Sequence, residues 1–459
     1  MKFHGLVITA VITLSACSVG PDFKAPSVAA SQHYDVQAEQ RVSFNQKVNV
    51  DWWSTFHSHT LDSVMRRAIA GNLELTSADA TLRQAAASVA AAEGALFPQV
   101  DFAAQAGRQR VHNATQPAVV NFYGVGPQVR FDLDVFGGNR RRVEQQQAFA
   151  DLQRNRFEAA YLTLTGDVAS QALLMASASA QMEAVQTLLV TDAKNLELVR
   201  AAQHSGAATQ LDISLAETRL AQDRTLLPPL AQQRDAARHA LSILVGKGPA
   251  DWRAPDFNLA EFASATTLPV SLPSELAHDR PDVQQAEAEL RAASAAVGVA
   301  TANLYPHVEL SASLAQAASG NGGTALWGFA TGLAGPIFDG GSLKAERQAA
   351  VEGYNALLAN YQQTVIKSFG QVADTLQAIN HDAQEYQAQI AALQAADNSL
   401  RLNQQAYGAG ENGLLQVLEA QRAYEQALLG QLRASTAQHL DTVRLFVALG
   451  GRSVSDFRR

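Results

Sequence analysis

A chain of 459 residues with a formal charge of −8 and one cysteine has no basic surplus for nucleic acid. It also has no partner for an intramolecular disulfide and no cysteine-built metal site. Hydrophobic residues make up 47% of the sequence but aromatics only 7%, so the apolar side chains are mostly small, which suits closely packed helices better than one globular core.

The first sixteen residues read as a secretory signal peptide: Lys2 opens it, an apolar run from Leu6 to Leu14 follows, and small residues close it. The run is too short to cross a bilayer. Leu14-Ser15-Ala16-Cys17 resembles the bacterial lipobox, so Cys17 is expected to carry diacylglyceryl and N-acyl chains, with 17–55 a lipidated N-terminal segment and part of a waist region. Ser18 stands where an Asp would favour retention at the inner membrane, which directs the protein to the outer membrane. His57 and His59 flank Ser58 with no carboxylate nearby and read as surface histidines.

Farther along, the prolines leave two long spans free, 128–227 and 337–459. Proline inside a helix costs ~3 kcal/mol or more, so these spans are expected to hold long helices. Val143, Ala150, Phe157 and Leu164 recur at heptad spacing within the first. The chain also repeats once, at an offset of about 204 residues. Leu96-Phe97-Pro98-Gln99-Val100 returns as Leu304-Tyr305-Pro306-His307-Val308, Gly166-Asp167-Val168-Ala169 as Gly370-Gln371-Val372-Ala373, Gly206 as Gly410, and Leu211 as Leu415. The repeats are placed at 56–250 and 276–450, with a linker at 251–275 and a tail at 451–459. Each holds a helix, two strands (about 97–136 and 305–338), and two long helices joined by a glycine turn near 203–212 or 407–416.

The strand regions alternate. In Val129-Arg130-Phe131-Asp132-Leu133-Asp134-Val135 the apolar residues fall on one face and Arg130, Asp132 and Asp134 on the other. A soluble sheet with one wet face would give the same pattern. Strands of roughly ten residues also suit an outer membrane, where three chains supplying twelve strands would turn these three charges to a water-filled lumen. Glycine pairs at 137–138 and 340–341 lack the Lys-Ser/Thr of a nucleotide loop, and no catalytic constellation, metal site or cofactor is expected.

The stretches "CSVGPDFKAPS", "RPDVQQAEAELRAASAAVGVATANLYPHVELS", "PIFDGGSLKAERQAA" and "AYGAGENGLLQVLEAQRAYEQA" carry a resemblance to the TolC-type outer membrane factors, nearest their lipid-anchored efflux branch, over residues 14 to about 450. The resemblance implies an α+β membrane protein, internally duplicated. Long antiparallel helical hairpins would form a periplasmic α-barrel, and four transmembrane strands per chain would join a homotrimeric twelve-stranded β-barrel. It further implies a passive exit duct for small molecules, with a periplasmic adaptor and an inner-membrane pump, most naturally of the resistance-nodulation-division class, as partners. By the same resemblance Ser205, Gly206, Ala207, Gly410, Glu411 and Asn412 are adaptor-docking turns, and Asp212, Tyr407, Gln416 and Glu419 form the pore gate. Gln416 and Glu419 replace the family's ring aspartates and Asn412 its arginine, which implies a weaker charge network at the tip. Type I protein secretion and a periplasmic adaptor lipoprotein are the alternatives; the duplication and the four strands argue against the adaptor.

Overall fold

A computed structural model describes residues 18–26, 42–44, 49–112, 117–262, 268–270, 279–319 and 322–450. Cys17, the expected signal peptide and the tail 451–459 lie outside the described residues, as do parts of the segment 17–55 and the linker 251–275.

In chain order the elements are β1 (Val42–Phe44), a 3-10 turn (Trp52–Phe56), α1 (His59–Gly71), α2 (Leu73–Gly94), β2 (Gln99–His112), β3 (Pro117–Asp132), α3 (Gly138–His204), α4 (Gln210–Arg224), α5 (Leu227–Leu244) and β4 (Leu268–Val270). The second repeat supplies α6 (Pro281–Ala302), β5 (His307–Ser319), β6 (Gly322–Ala334), α7 (Ser342–Gly408) and α8 (Leu414–Leu449). Both α3 and α7 run for 67 residues, about 100 Å at 1.5 Å per residue.

The expected single return helix of the first repeat is two helices. Pro228 and Pro229 occupy the first turn of α5, where their missing N–H groups cost least, and the helix before them stops at Arg224. The second repeat has no proline there, and α8 continues for 36 residues.

The chain divides into two compact units. One holds Asp79–Arg156, Gln284–Thr364 and the N-terminal residues up to Val28. Its centre is an antiparallel sheet of order β2-β3-β5-β6. Phe136 stacks on Tyr305 at 4.6 Å, joining the turns after β3 and before β5. A strap from Ser18 to Phe23 lies against the start of α3: the Val19 N–H donates to the Phe136 carbonyl at 3.1 Å. The buried Arg141 guanidinium donates to the Val19 carbonyl at 3.2 Å, to Asp22 at 2.8 Å and to Glu144 at 2.7 Å.

The other unit holds Ala29–Ala78, Phe157–Val283 and the chain from Val365 onward. Here Trp52 stacks on Phe446 at 5.2 Å, with Phe56 edge-on to both Trp52 and Phe262. β1 and β4 pair in parallel beside this core. Arg280 donates to Asp282, to Gln371 and to the Ala448 carbonyl near the end of α8.

Candidate functional site

The sheet register sorts side chains into two unlike faces. Val100, Val129, Ala312 and Phe329 share one row, and Phe131 with Leu310 lies two residues away on the same face, as do Phe102, Leu314 and Trp327 in the other direction. The intervening rows carry Gln99, Arg130 and Ser311, then Asp101, Gln128 and Ser313, then Asp132 and Glu309. Asp101 and Arg130 pair across strands on this polar face at 3.5 Å. On the apolar face Trp327 is 82% exposed and Phe329 67%, a row of aromatics turned out of the fold. The outer edges of β2 and β6 have no strand partner among the described residues.

Of the three charges expected to line a lumen, Asp134 does not lie on the strand. β3 ends at Asp132, and Asp134 takes a left-handed backbone, φ +46°. Its carboxylate accepts the N–H groups of Asn139 at 2.8 Å and Arg140 at 3.0 Å, so it caps α3. Asp132 joins the same junction, accepting the Asp134 N–H at 2.9 Å and the Asn139 amide at 3.2 Å. The alternation persists in the sequence, but the backbone has already turned.

Both long helices end in the same way. After α3, Gly206 has φ +79° and the Ala207 N–H donates to the Ala202 carbonyl at 2.8 Å; after α7, Gly410 has φ +74° and the Glu411 N–H donates to Ala406 at 2.8 Å. These are Schellman closures, in which a left-handed residue is cheapest as glycine. The returns differ. Thr209 and Asp212 form a reciprocal capping box at the start of α4, whereas α8 starts at Gly413 without a side-chain cap, and Asn412 instead donates to Asn403 at 3.0 Å. The Thr209 N–H and hydroxyl hold the Asp212 carboxyl below the usual carboxylate range. Gln416 and Glu419 are exposed and Tyr407 is half-buried. Among the described residues no hydrogen bond joins Asp212 to any of these three.

A polar cluster that sequence reasoning missed lies farther up the hairpin. Asp192 and Asn195 on α3, Arg219 and Asp223 on α4, and Gln421 and Glu425 on α8 meet among apolar neighbours. Gln421 accepts from the Asn195 amide at 2.8 Å and donates to Asp192. Arg219 bridges Asp223 at 2.9 Å and Glu425. The signal for it was present, since Asp192 sits one heptad from Val185 and Val199, both buried.

The pattern of the family described as outer membrane efflux protein matches residues 64–247 and 272–451, most of the chain and once per repeat. This chain belongs to the outer membrane efflux protein family. It is 29% identical to the pyoverdine export outer membrane protein OpmQ of Pseudomonas aeruginosa, over 98% of this chain and 97% of that one. With the toluene efflux pump outer membrane protein TtgI of Pseudomonas putida it shares 27% identity over 98% of each chain. The solved structure of the outer-membrane channel OprN superposes with a TM-score of 0.89 at 26% identity, covering 95% of this chain and 99% of that one. As a family member, the protein is an outer-membrane component of an efflux system. The duplicated helix-strand-strand-helix order is the architecture of outer membrane efflux proteins, and the two-faced sheet is its membrane-facing part.

Proposed function

We propose that three copies of this chain close one twelve-stranded barrel and form a passive exit duct for small molecules. The sheet carries this reading: its two outer edges have no strand partner among the described residues, and open edges cannot stay in lipid, so β6 of one protomer pairs with β2 of the next. The apolar face then meets lipid, while Arg130 and Asp132 turn to the lumen. Cys17 carries the lipid anchor at the outer membrane. The helical hairpins reach into the periplasm, where the turns at Ser205, Gly206, Ala207, Gly410, Glu411 and Asn412 receive an adaptor that links the duct to an inner-membrane pump. Asp212, Tyr407, Gln416 and Glu419 line the gate. OpmQ is named for pyoverdine and TtgI for toluene, which supports small molecules as the cargo class rather than any single compound.

The test is the mass of the detergent-solubilised protein together with its conductance in planar bilayers. A trimer with small openings that enlarge in the double variant Asp212→Ala, Glu419→Ala is the expected result. A monomer that forms no channels would overturn the reading.

A further inference from the structure

We infer that a proton shared between Asp192 and Asp223 latches α3 to α4 within the first helical hairpin, and that its release loosens the tip of the duct. The second half rests on the duct reading above; the first does not.

Three carboxyls and one guanidinium are enclosed at this junction. Asp192 is 2% exposed, Asp223 3% and Glu425 4%. Arg219 pairs with Asp223 and Glu425 and acts on Asp192 only through space, so among the described residues Asp192 forms no ion pair of its own. The Gln421 amide is oriented by Asn195, which donates to its oxygen at 2.8 Å, so its nitrogen points at Asp192 Oδ1 and donates there. Asp192 Oδ2 is buried and meets no donor among the described residues, and the Asp192 and Asp223 carboxyls lie within hydrogen-bonding reach of each other. Two carboxyls bond to each other only if one keeps its proton, and a lone buried carboxylate is costly. The neutral Asp192 therefore donates to the Asp223 carboxylate, which Arg219 bridges at 2.9 Å.

Burial, first, and the neighbouring Asp223 push the Asp192 pKa up to about 7. A carboxyl whose pKa is raised in the packed state binds its proton more tightly there, so the contact is strongest below the ordinary value of 3.8, weakens as pH rises from it, and is lost as pH passes about 7. Between 3.8 and about 7 each latch that opens releases one proton, so the opening equilibrium rises up to tenfold per pH unit over that range and levels off above it. Gln421 and Glu425 lie one turn apart on α8, and they engage α3 and α4 respectively. Losing the shared proton thus leaves two carboxylates facing each other across α3 and α4, whereas the Gln421 amide keeps its bond to Asp192 and α8 stays tied to α3. The cluster sits about 20 Å up α3 from the Gly206 turn, close enough for its packing to set the spread of the tip.

The experiment has two arms on the full-length solubilised protein, each comparing wild type with Asp192→Asn and Asp223→Asn. In the first, amide hydrogen exchange of 185–200 and 210–224 is measured at pH 6 and pH 8, corrected for intrinsic rates, with 414–428 on α8 as the reference segment. Wild type is expected to lose about tenfold in protection at pH 8. Asp192→Asn, a permanently neutral stand-in, should be equally protected at both, and Asp223→Asn should lose the transition. Equal wild-type protection at the two pH values, or an unchanged transition in Asp192→Asn, overturns the latch. In the second arm, channel openings are recorded at the same two pH values. Openings that increase at pH 8 in wild type and not in Asp192→Asn support control of the tip. A pH-dependent latch with pH-independent openings overturns that control, whereas absence of channels in every protein, with the exchange transition intact, upholds the latch and overturns the duct.

Discussion

Gly20 lies so close to Gly298 that a Cβ built on it would stand 2.5 Å from the Gly298 Cα. The strap and α6 touch backbone to backbone, and Gly20, with φ +95°, also needs a conformation that side-chain-bearing residues rarely take. A Cβ on Gly298 would in turn meet Arg141 Cδ at 2.8 Å, the residue that holds the strap by three carbonyl and carboxylate contacts. Gly298→Val should overpack this crossing by about 1–3 kcal/mol and release the strap. Lys24, exposed just beyond it, offers the readout: trypsin cleavage there should quicken at least tenfold in the variant, and an unchanged rate would remove the strap from the account.

The aromatic core of the second unit predicts a large and localised cost. Trp52 is buried and stacked on Phe446, so Trp52→Ala should lower stability by about 3–5 kcal/mol, read from the denaturation midpoint of the solubilised protein. Lys194→Ala, at an exposed position on α3, should change it by no more than about 0.5 kcal/mol. Similar effects for the two would mean that the stack is not part of the stabilising core.

The two sheet faces should respond oppositely. Trp327→Arg places a charge on the apolar face and is expected to cost about 2–4 kcal/mol if it sits near the bilayer midplane, measured as reduced folding into lipid vesicles. Asp101→Asn on the polar face should leave folding intact and weaken cation preference in reversal-potential measurements. The face assignment fails if Asp101→Asn blocks insertion and Trp327→Arg does not.

At the first tip the pH dependence runs opposite to that of the buried latch. Thr209 holds the Asp212 carboxyl below its unperturbed value of 3.8, so the cap contributes fully above 3.8 and is lost as pH falls below it. Amide exchange at 209–213, corrected for intrinsic rates, should therefore accelerate at pH 3 relative to pH 6. Asp212→Ala should exchange rapidly at both. Protection that persists in wild type at pH 3 would show that the side chain is not what closes this turn.

Much of the fold was legible because its signals are local. Gly206 and Gly410 recur at one offset and both take left-handed turns, and the strand rows from Val129 to Asp132 follow a period of two in sequence and in space. Asp134 escaped because alternation records polarity and not φ; nothing in "DLDVFGG" marks the residue at which the strand becomes a cap. The break at Thr225 was half-visible, since Pro228 and Pro229 bounded the proline-free span without revealing that the helix would stop and restart. The buried cluster was harder to read. Asp192 interrupts an apolar heptad, which is visible, but the level at which α8 meets α3 brings Gln421 to it across more than 200 residues of sequence.

The outer edges of β2 and β6, which lack a strand partner among the described residues, have a genetic consequence. In the proposed trimer the barrel has no spare subunit, so one protomer with a ruined edge would spoil the two sound ones beside it. In a cell making equal amounts of intact and edge-defective chain, only about one assembly in eight would be wholly intact by random mixing of three. Loss of half the good protein would then act like loss of nearly all of it, and an edge-strand allele would be dominant where a null allele is silent.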